Sequence, residues 1–313
     1  MSRLATRLIS LVALASIAYA VYRVAGDVRP DSFSLHRPWL LGVLLPLAVL
    51  NHALRWARWH ILLRAAASRP VRPVHTAHSF LIGSLAIFTP ARAGEVLKGA
   101  VALRLAAVPL GSTVAVLATE RSLDLAIMAV LLLPGYQSVA DGGFGHAMIG
   151  GIVVACALAV VGVAALPWIV GRLPRKLAGL VGTREDAAGA LRRLTGRRVV
   201  ASGALIGVGA WVAEVFIYAL ALVAAGADWS GELLAAACTI WAASSLAGAL
   251  SLLPAGLGVT EGSLIALAVS LGRFDFSIAA TAAIIARGAV LGTIVVSGLP
   301  SLWVWSRQKE IAV

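Results

Sequence analysis

Pro90-Ala-Arg-Ala-Gly-Glu95 and Pro254-Ala-Gly-Leu-Gly-Val-Thr-Glu261 interrupt two otherwise apolar segments, one in each half of the chain. Each sets proline, glycine and a carboxylate where a membrane-spanning helix would run unbroken. In a bilayer, irregular backbone persists only where protein buries it or a wet cavity borders it. A pair of interrupted segments, one per half, is the pattern that marks the binding site of transporters built from repeats. The two stretches therefore point to a transport-type site and away from a soluble enzyme.

The remaining sequence supplies the membrane. Of 313 residues, 60% are hydrophobic and 13% charged, with a mean hydropathy of +0.93. A soluble domain of that length does not need so much apolar material, so the fold class is an all-α polytopic membrane protein. The net charge of +12 does not mark a nucleic-acid partner, because the basic residues fall mainly between apolar segments, where the positive-inside rule accounts for them. Cys156 and Cys238 each stand alone in an apolar segment, so neither a disulfide nor a metal site is expected. The run from Leu4 to Tyr22 has a basic front but no small-residue cleavage site and reads as a retained helix.

A span needs about 20 apolar residues. Full helices are expected near 4–22, 39–62, 110–133, 147–170, 200–225 and 277–304. Segments 74–104 and 232–271 lie between them, broken at Pro90 and Pro254, and each is long enough for two half-depth helices joined by a turn. The expectation is about six transmembrane helices plus two re-entrant helical hairpins in a single transmembrane domain, 1–313. With the N-terminus inside, 18 Lys and Arg, including Arg55 and Arg58, fall in cytoplasmic segments. Only Arg23, Arg29, Arg37 and Arg273 fall outside. That bias puts both termini in the cytoplasm. A first repeat, 39–133, then mirrors a second, 200–304, in the opposite orientation. Such an inverted repeat lets one site face either side in turn.

The basic linker 171–199 reads equally as a solvated cytoplasmic loop or as a short helix, around Ala187–Leu194, lying on an anionic phospholipid surface. Trp39, Trp168, Trp229, Trp303 and Trp305 sit at expected helix ends, where tryptophans anchor a protein at the interface.

Ionisable side chains within the membrane cost about 2.5–3.5 kcal/mol each and face a cavity or a partner. Here Arg92, Glu95 and Lys98 gather at the first break, while Glu120, Arg121 and Asp124 lie mid-helix. Glu214 is mid-helix, Glu261 follows Gly256 and Gly258 at the second break, and Arg287 lies inside the last span. Glu120 and Asp124, four apart, share a helix face. One reading assigns Arg92, Lys98, Arg121 and Arg287 to an anionic headgroup, since the guanidinium fork matches phosphate oxygens in pairs. The carboxylates would balance the empty site or carry a coupling proton. The other reading is a set of internal ion pairs that hold the hairpins. For any one residue the two are even; for the cluster, function is favoured. In the second helix, Asn51 and Arg55 are four apart and candidates to line a cavity, whereas Arg58 and His60 are expected to snorkel to the cytoplasmic edge.

These residues are similar to those of the lysylphosphatidylglycerol synthase transmembrane region, a flippase-like family. The likeness runs through Pro90, Arg92, Gly94, Glu95 and Lys98, then Glu120-Arg121 with Asp124. It resumes at Pro254, Gly256, Leu257, Gly258 and Glu261, with Arg287 in the last helix; Ala255 departs from a frequent glycine. The resemblance implies an integral protein of the bacterial or archaeal inner membrane. In its best-known members this region moves an aminoacylated phospholipid between leaflets, and others are associated with glycolipid, polyprenyl-lipid or hopanoid pathways. The soluble aminoacyl-transfer domain of the fused members is not expected here, so neither lipid synthesis nor a tRNA substrate is carried over.

The leading expectation is a lipid flippase, not an enzyme, acting on an anionic or phosphate-bearing lipid. The alternatives are a membrane-embedded headgroup-modifying enzyme, with Glu95 or Glu120 as base, and a partner that presents lipid to a glycosyltransferase. His75 and His78 have no carboxylates nearby in sequence, and no nucleotide-binding motif is present, so no metal or other cofactor is expected. Membrane lipid is the expected partner, with a homo-oligomer or a lipid-biosynthesis enzyme left open. The orientation is testable. With Cys156 and Cys238 replaced, a cysteine placed at Gly182 should react with a membrane-impermeant thiol reagent only from the cytoplasmic side; outer-side labelling would reverse the topology.

Overall fold

The computed structural model describes residues 33, 35–89, 95–135 and 184–307, which form helices and turns without a strand. A single 3-10 turn, Pro38–Leu40, leads into α1 (Leu41–Ala66). Proline suits that start because the first N–H groups of a helix lack partners anyway. α1 ends where Ala67 turns extended (ψ 145°), ahead of Pro70. Pro73 opens α2 (Pro73–Leu85), which runs into a 3-10 turn at Ala86–Phe88. Then follow α3 (Glu95–Ala106), α4 (Leu110–Leu131) and α5 (Arg184–Leu194). α6 (Arg197–Ala225) stops at Gly226, and Ser230 caps α7 (Gly231–Leu250) by accepting the Leu233 N–H at 3.0 Å. A 3-10 turn at Pro254–Gly256, then α8 (Val259–Ser270) and α9 (Phe276–Arg307), complete the described fold.

Pro38–Ala66, α6, α7 and α9 are long and apolar enough to cross a bilayer. α4, at 22 residues, also has the length, about 33 Å at the helical rise, but carries Glu120, Arg121 and Asp124. The chain is thus a multi-pass membrane protein. Helices expected near 39–62, 110–133, 200–225 and 277–304 correspond to α1, α4, α6 and α9; those at 4–22 and 147–170 lie outside the described residues. In the first interrupted segment, α2 and α3 have 13 and 12 residues and pack on each other. The second is unequal. α7 has 20 residues and α8 only 12, so the leading arm has full-span rather than half-depth length. The reason is visible in the sequence, since no proline and no charge follows Glu232 until the break at Pro254.

α6 is the central pillar. It packs along α1 and α9 and buries Ile217, Tyr218, Ala219 and Leu222 completely. Its many alanines let neighbouring backbones approach, as small residues do where water supplies no hydrophobic drive. The turn Ala86–Phe88, which precedes the first break, packs against the turn Pro254–Gly256 of the second, and Leu85, Phe88, Ala255 and Ile294 close into one apolar cluster.

Part of the linker is a helix that uses its apolar side against protein. Ala187, Ala190 and Leu194 of α5 are buried, and Arg193 donates to the carbonyls of Ala65 (3.2 Å) and Ala66 (2.5 Å), capping the end of α1. The tryptophan expectation divides: Trp39, Trp229 and Trp303 are exposed, as interfacial anchors would be, but Trp305 is buried with Ile82 and Val101. Trp168 lies outside the described residues.

The second break stores backbone strain at Ala255 (φ 53°, ψ 12°), next to Gly256 (φ 66°). A left-handed non-glycine residue costs roughly 1–2 kcal/mol, a cost that glycine would avoid. At Gly256 a Cβ would lie 2.6 Å from Thr260 Oγ1 and 3.0 Å from Gly248 Cα. Ala255→Gly should therefore raise the thermal midpoint of purified protein by an amount equivalent to about 1 kcal/mol. Gly256→Val should lower it, and the reverse order would rule out strain at this turn.

Candidate functional site

Six helices, α1, α2, α4, α6, α7 and α9, surround a cavity of about 360 Å³, with single residues added from α3 and α8. Arg55, Arg58, Lys98, Arg121 and Arg287 border it, as do Glu120, Asp124 and Glu214. In a bilayer that concentration of charge survives only by mutual pairing, and the pairs form three groups.

The first group is centred on Arg58. Its Nη1 donates to Asp124 Oδ1 at 2.7 Å, and its Nε lies 3.7 Å from Glu120 Oε1. Lys98 Nζ donates to the other Glu120 oxygen at 3.4 Å, and Arg121 Nη1 is 3.4 Å from Asp124 Oδ2. The four-residue spacing on α4 sets both carboxylates on one face, so a single guanidinium from α1 spans them. Gly207 of α6 makes the room, since a Cβ there would stand 2.6 Å from Arg58 Nη1. Lys98 also lies over the rings of Trp59 (4.4 Å) and Phe80 (4.9 Å), an aromatic seat for a cation outside water.

In the second group, Arg55 donates from Nη2 (2.7 Å) and Nε (3.2 Å) to Glu214 Oε1, and Trp241 Nε1 donates to Oε2 at 3.0 Å. Trp211 links the two groups. Its Nε1 donates to Asp124 Oδ1 at 2.9 Å while Arg55 sits over its ring at 5.0 Å. The third group pins the second break. Arg287 donates from Nε to Glu261 Oε1 (2.6 Å) and from Nη2 to the Ala255 carbonyl (2.7 Å). Glu261 Oε2 accepts the Gly258 N–H at 2.7 Å, one arm of a capping box, the other being missing because Gly258 has no side chain.

The model of the family described as "Lysylphosphatidylglycerol synthase TM region" matches residues 7–298, nearly the whole chain. The chain belongs to this family. Comparison with curated proteins returns no match. Membership places the chain among membrane proteins with a lipid-related function.

Within this family member, Lys98, Glu120, Arg121, Asp124 and Arg287 line one cavity, and Glu261 is one bond behind it. Gly256 and Gly258 shape the adjoining turn. Arg92 lies outside the described residues, and Glu95 is placed by its backbone alone, as the first residue of α3. One expectation fails. Arg58 does not snorkel; it is only 2% exposed and is the most deeply held cation of the site. With Arg55 also on the cavity, the loop count falls from 18 to 16 against 4, which leaves the charge bias intact. Sequence reasoning also missed Trp211 and Trp241. A signal existed: Asn51, Arg55 and Arg58 recur at the spacing of one helix face, and both tryptophans sit mid-span rather than at a helix end. Among the described residues, no three His, Cys, Asp or Glu stand together to hold a metal ion.

Removing one partner of a buried ion pair strands the other. Asp124→Leu should destabilise the protein by about 3–5 kcal/mol. The double variant Arg58→Met with Asp124→Leu should recover part of that loss, as unfolding midpoints across the four proteins of the cycle would report. Additive effects would show that the pair contributes no coupling.

Proposed function

We propose that the protein is a lipid translocase that moves a phosphate-bearing lipid between the leaflets of the inner membrane. The observation that supports this reading most is the graded exposure of the cations around the cavity. Side-chain exposure is 3% at Arg58, 9% at Lys98 and 12% at Arg287, but 23% at Arg55 and 41% at Arg121. The deep cations hold helices together. Arg55 and Arg121 are reachable by an entering anion, and guanidinium grips phosphate through two N–H donors at once.

In this reading the two interrupted segments are re-entrant hairpins of an inverted repeat, 39–133 and 200–304, with the turns Ala86–Phe88 and Pro254–Gly256 in contact beside the site. Each half would then present the site to its own leaflet as the halves rock. Both termini are cytoplasmic, and the partners are the lipid and an anionic bilayer surface beneath the basic linker. We take the protein not to be an enzyme. Glu120, Asp124, Glu214 and Glu261 are each already paired with a cation, which suits charge balance better than proton abstraction.

The test is leaflet exchange by purified protein in vesicles, followed with a headgroup-labelled anionic phospholipid and a membrane-impermeant quencher. Wild-type protein should accelerate exchange. Arg121→Lys should retain part of the rate and Arg121→Glu none, with both variants folded. Full activity in Arg121→Glu would remove this residue from the headgroup site, and wild-type protein without exchange would remove the translocase reading.

A further inference from the structure

A second hollow, of about 530 Å³, opens between α1, α2 and α9. Its lining is nearly all apolar: Leu45, Val49 and Trp56 on one wall, Leu81 on another, and Gly288 and Gly292 along α9. Val296, at its rim, is 74% exposed and so faces lipid. His52 borders both this groove and the charged cavity, and its Nε2 lies 3.1 Å from Ser297 Oγ, tying α1 to α9. The imidazole also packs on Phe80, 4.9 Å between ring centres. One side chain thus partitions a polar chamber from an apolar, membrane-facing slot.

We infer that the groove seats an ester-linked acyl chain of the lipid whose phosphate occupies the charged cavity, with the His52–Ser297 contact as the lateral gate between them. This rests on the translocase reading and adds to it the substrate class and the entry path. Three observations carry it. The groove and the charged cavity share His52 as a wall, so a single amphipathic molecule would reach both once that side chain turns aside. Its volume lies in the range of ligand pockets, about 300–1,000 Å³. Trp56 Nε1–H is buried and has no acceptor among the described residues, whereas a buried indole N–H ordinarily finds one. An ester carbonyl would satisfy it, and a hydrocarbon without oxygen would not. The spacing Gly288-x-x-x-Gly292 also suits helix pairing. A helix is about 10–12 Å across with its side chains, however, and would cover the slot without filling it or meeting the indole.

The experiment uses full-length protein in phosphatidylcholine vesicles containing a phosphatidylglycerol with a diazirine in one acyl chain. Photolysis and mass spectrometry map the cross-links. Labelling should concentrate on Val49, Trp56 and Val296, several-fold above the exposed outer positions Leu205 and Val208 of α6, and excess unlabelled phosphatidylglycerol should compete it away. G292L should abolish groove labelling. A Cβ at Gly288 or Gly292 meets no atom within 4 Å, so the variant is expected to fold, and V296W fills the same groove from its exposed rim. Groove labelling equal to that on α6, or unchanged in both filled variants, overturns the inference. So does a wild-type dimer that G292L converts to monomer while labelling persists. The two readings fail separately. Labelled groove without leaflet exchange leaves the chain site standing and removes translocation; exchange that survives G292L with no groove labelling does the reverse.

Discussion

Arg58 is the interaction on which the other parts of the membrane interior depend. A guanidinium that is almost wholly buried in a bilayer protein is tolerable only if its charge is matched. Asp124 and Glu120 provide that match from one face of α4, and Gly207 provides the volume. The same carboxylates then bring in Lys98 from α3, Arg121 from their own helix and Trp211 from α6. One side chain of α1 therefore fixes the register of three other helices, and the cavity is the space their ion pairs enclose.

Much of the fold was legible in the sequence, because hydropathy and breakers act locally. α1, α4, α6 and α9 fall where apolar runs of about 20 residues place them, and the second break falls between Pro254 and Gly258. The inequality of its arms was less visible, because two half-depth arms and one long plus one short arm share the same total length. The cost of intramembrane charge singled out Lys98, Glu120, Arg121, Asp124 and Arg287, which border one cavity, without any geometry. Arg58 was misplaced for a specific reason. Its distance from the helix end allowed snorkelling, and only the approach of α4 decided against it. Tryptophan was similarly ambiguous: exposed at Trp39 and Trp229, it became a hydrogen-bond donor to Asp124 and Glu214 at Trp211 and Trp241.

The two readings of the charged residues, headgroup binding and structural pairing, are not exclusive once exposure is considered. Arg58 and Arg287 each make short contacts, 2.7 Å and 2.6 Å, and have little contact with the open space. Arg121 is 3.4 Å from its carboxylate and far more exposed. In the proposed reading, an anion that enters the cavity meets the most exposed of these cations first. It competes with Asp124 for Arg121 while Arg58 and Trp211 still hold that carboxylate in place, so the frame need not loosen for the site to engage.

The nature of the contacts at the breaks sets where this frame is softest. The turns Ala86–Phe88 and Pro254–Gly256 touch through apolar side chains, whereas α1, α4 and α6 are joined by charge. Apolar contact is non-directional and has little preference between closely related packings, but a hydrogen-bonded ion pair at 2.7 Å is strong and oriented. Sliding at the turns is therefore cheaper than separating α1 from α4 or α6. The softest internal boundary runs where the two interrupted segments meet, at the edge of the charged cavity, and the hardest runs through Arg58. A headgroup held between them would remain on the fixed side while the boundary beside it shifts.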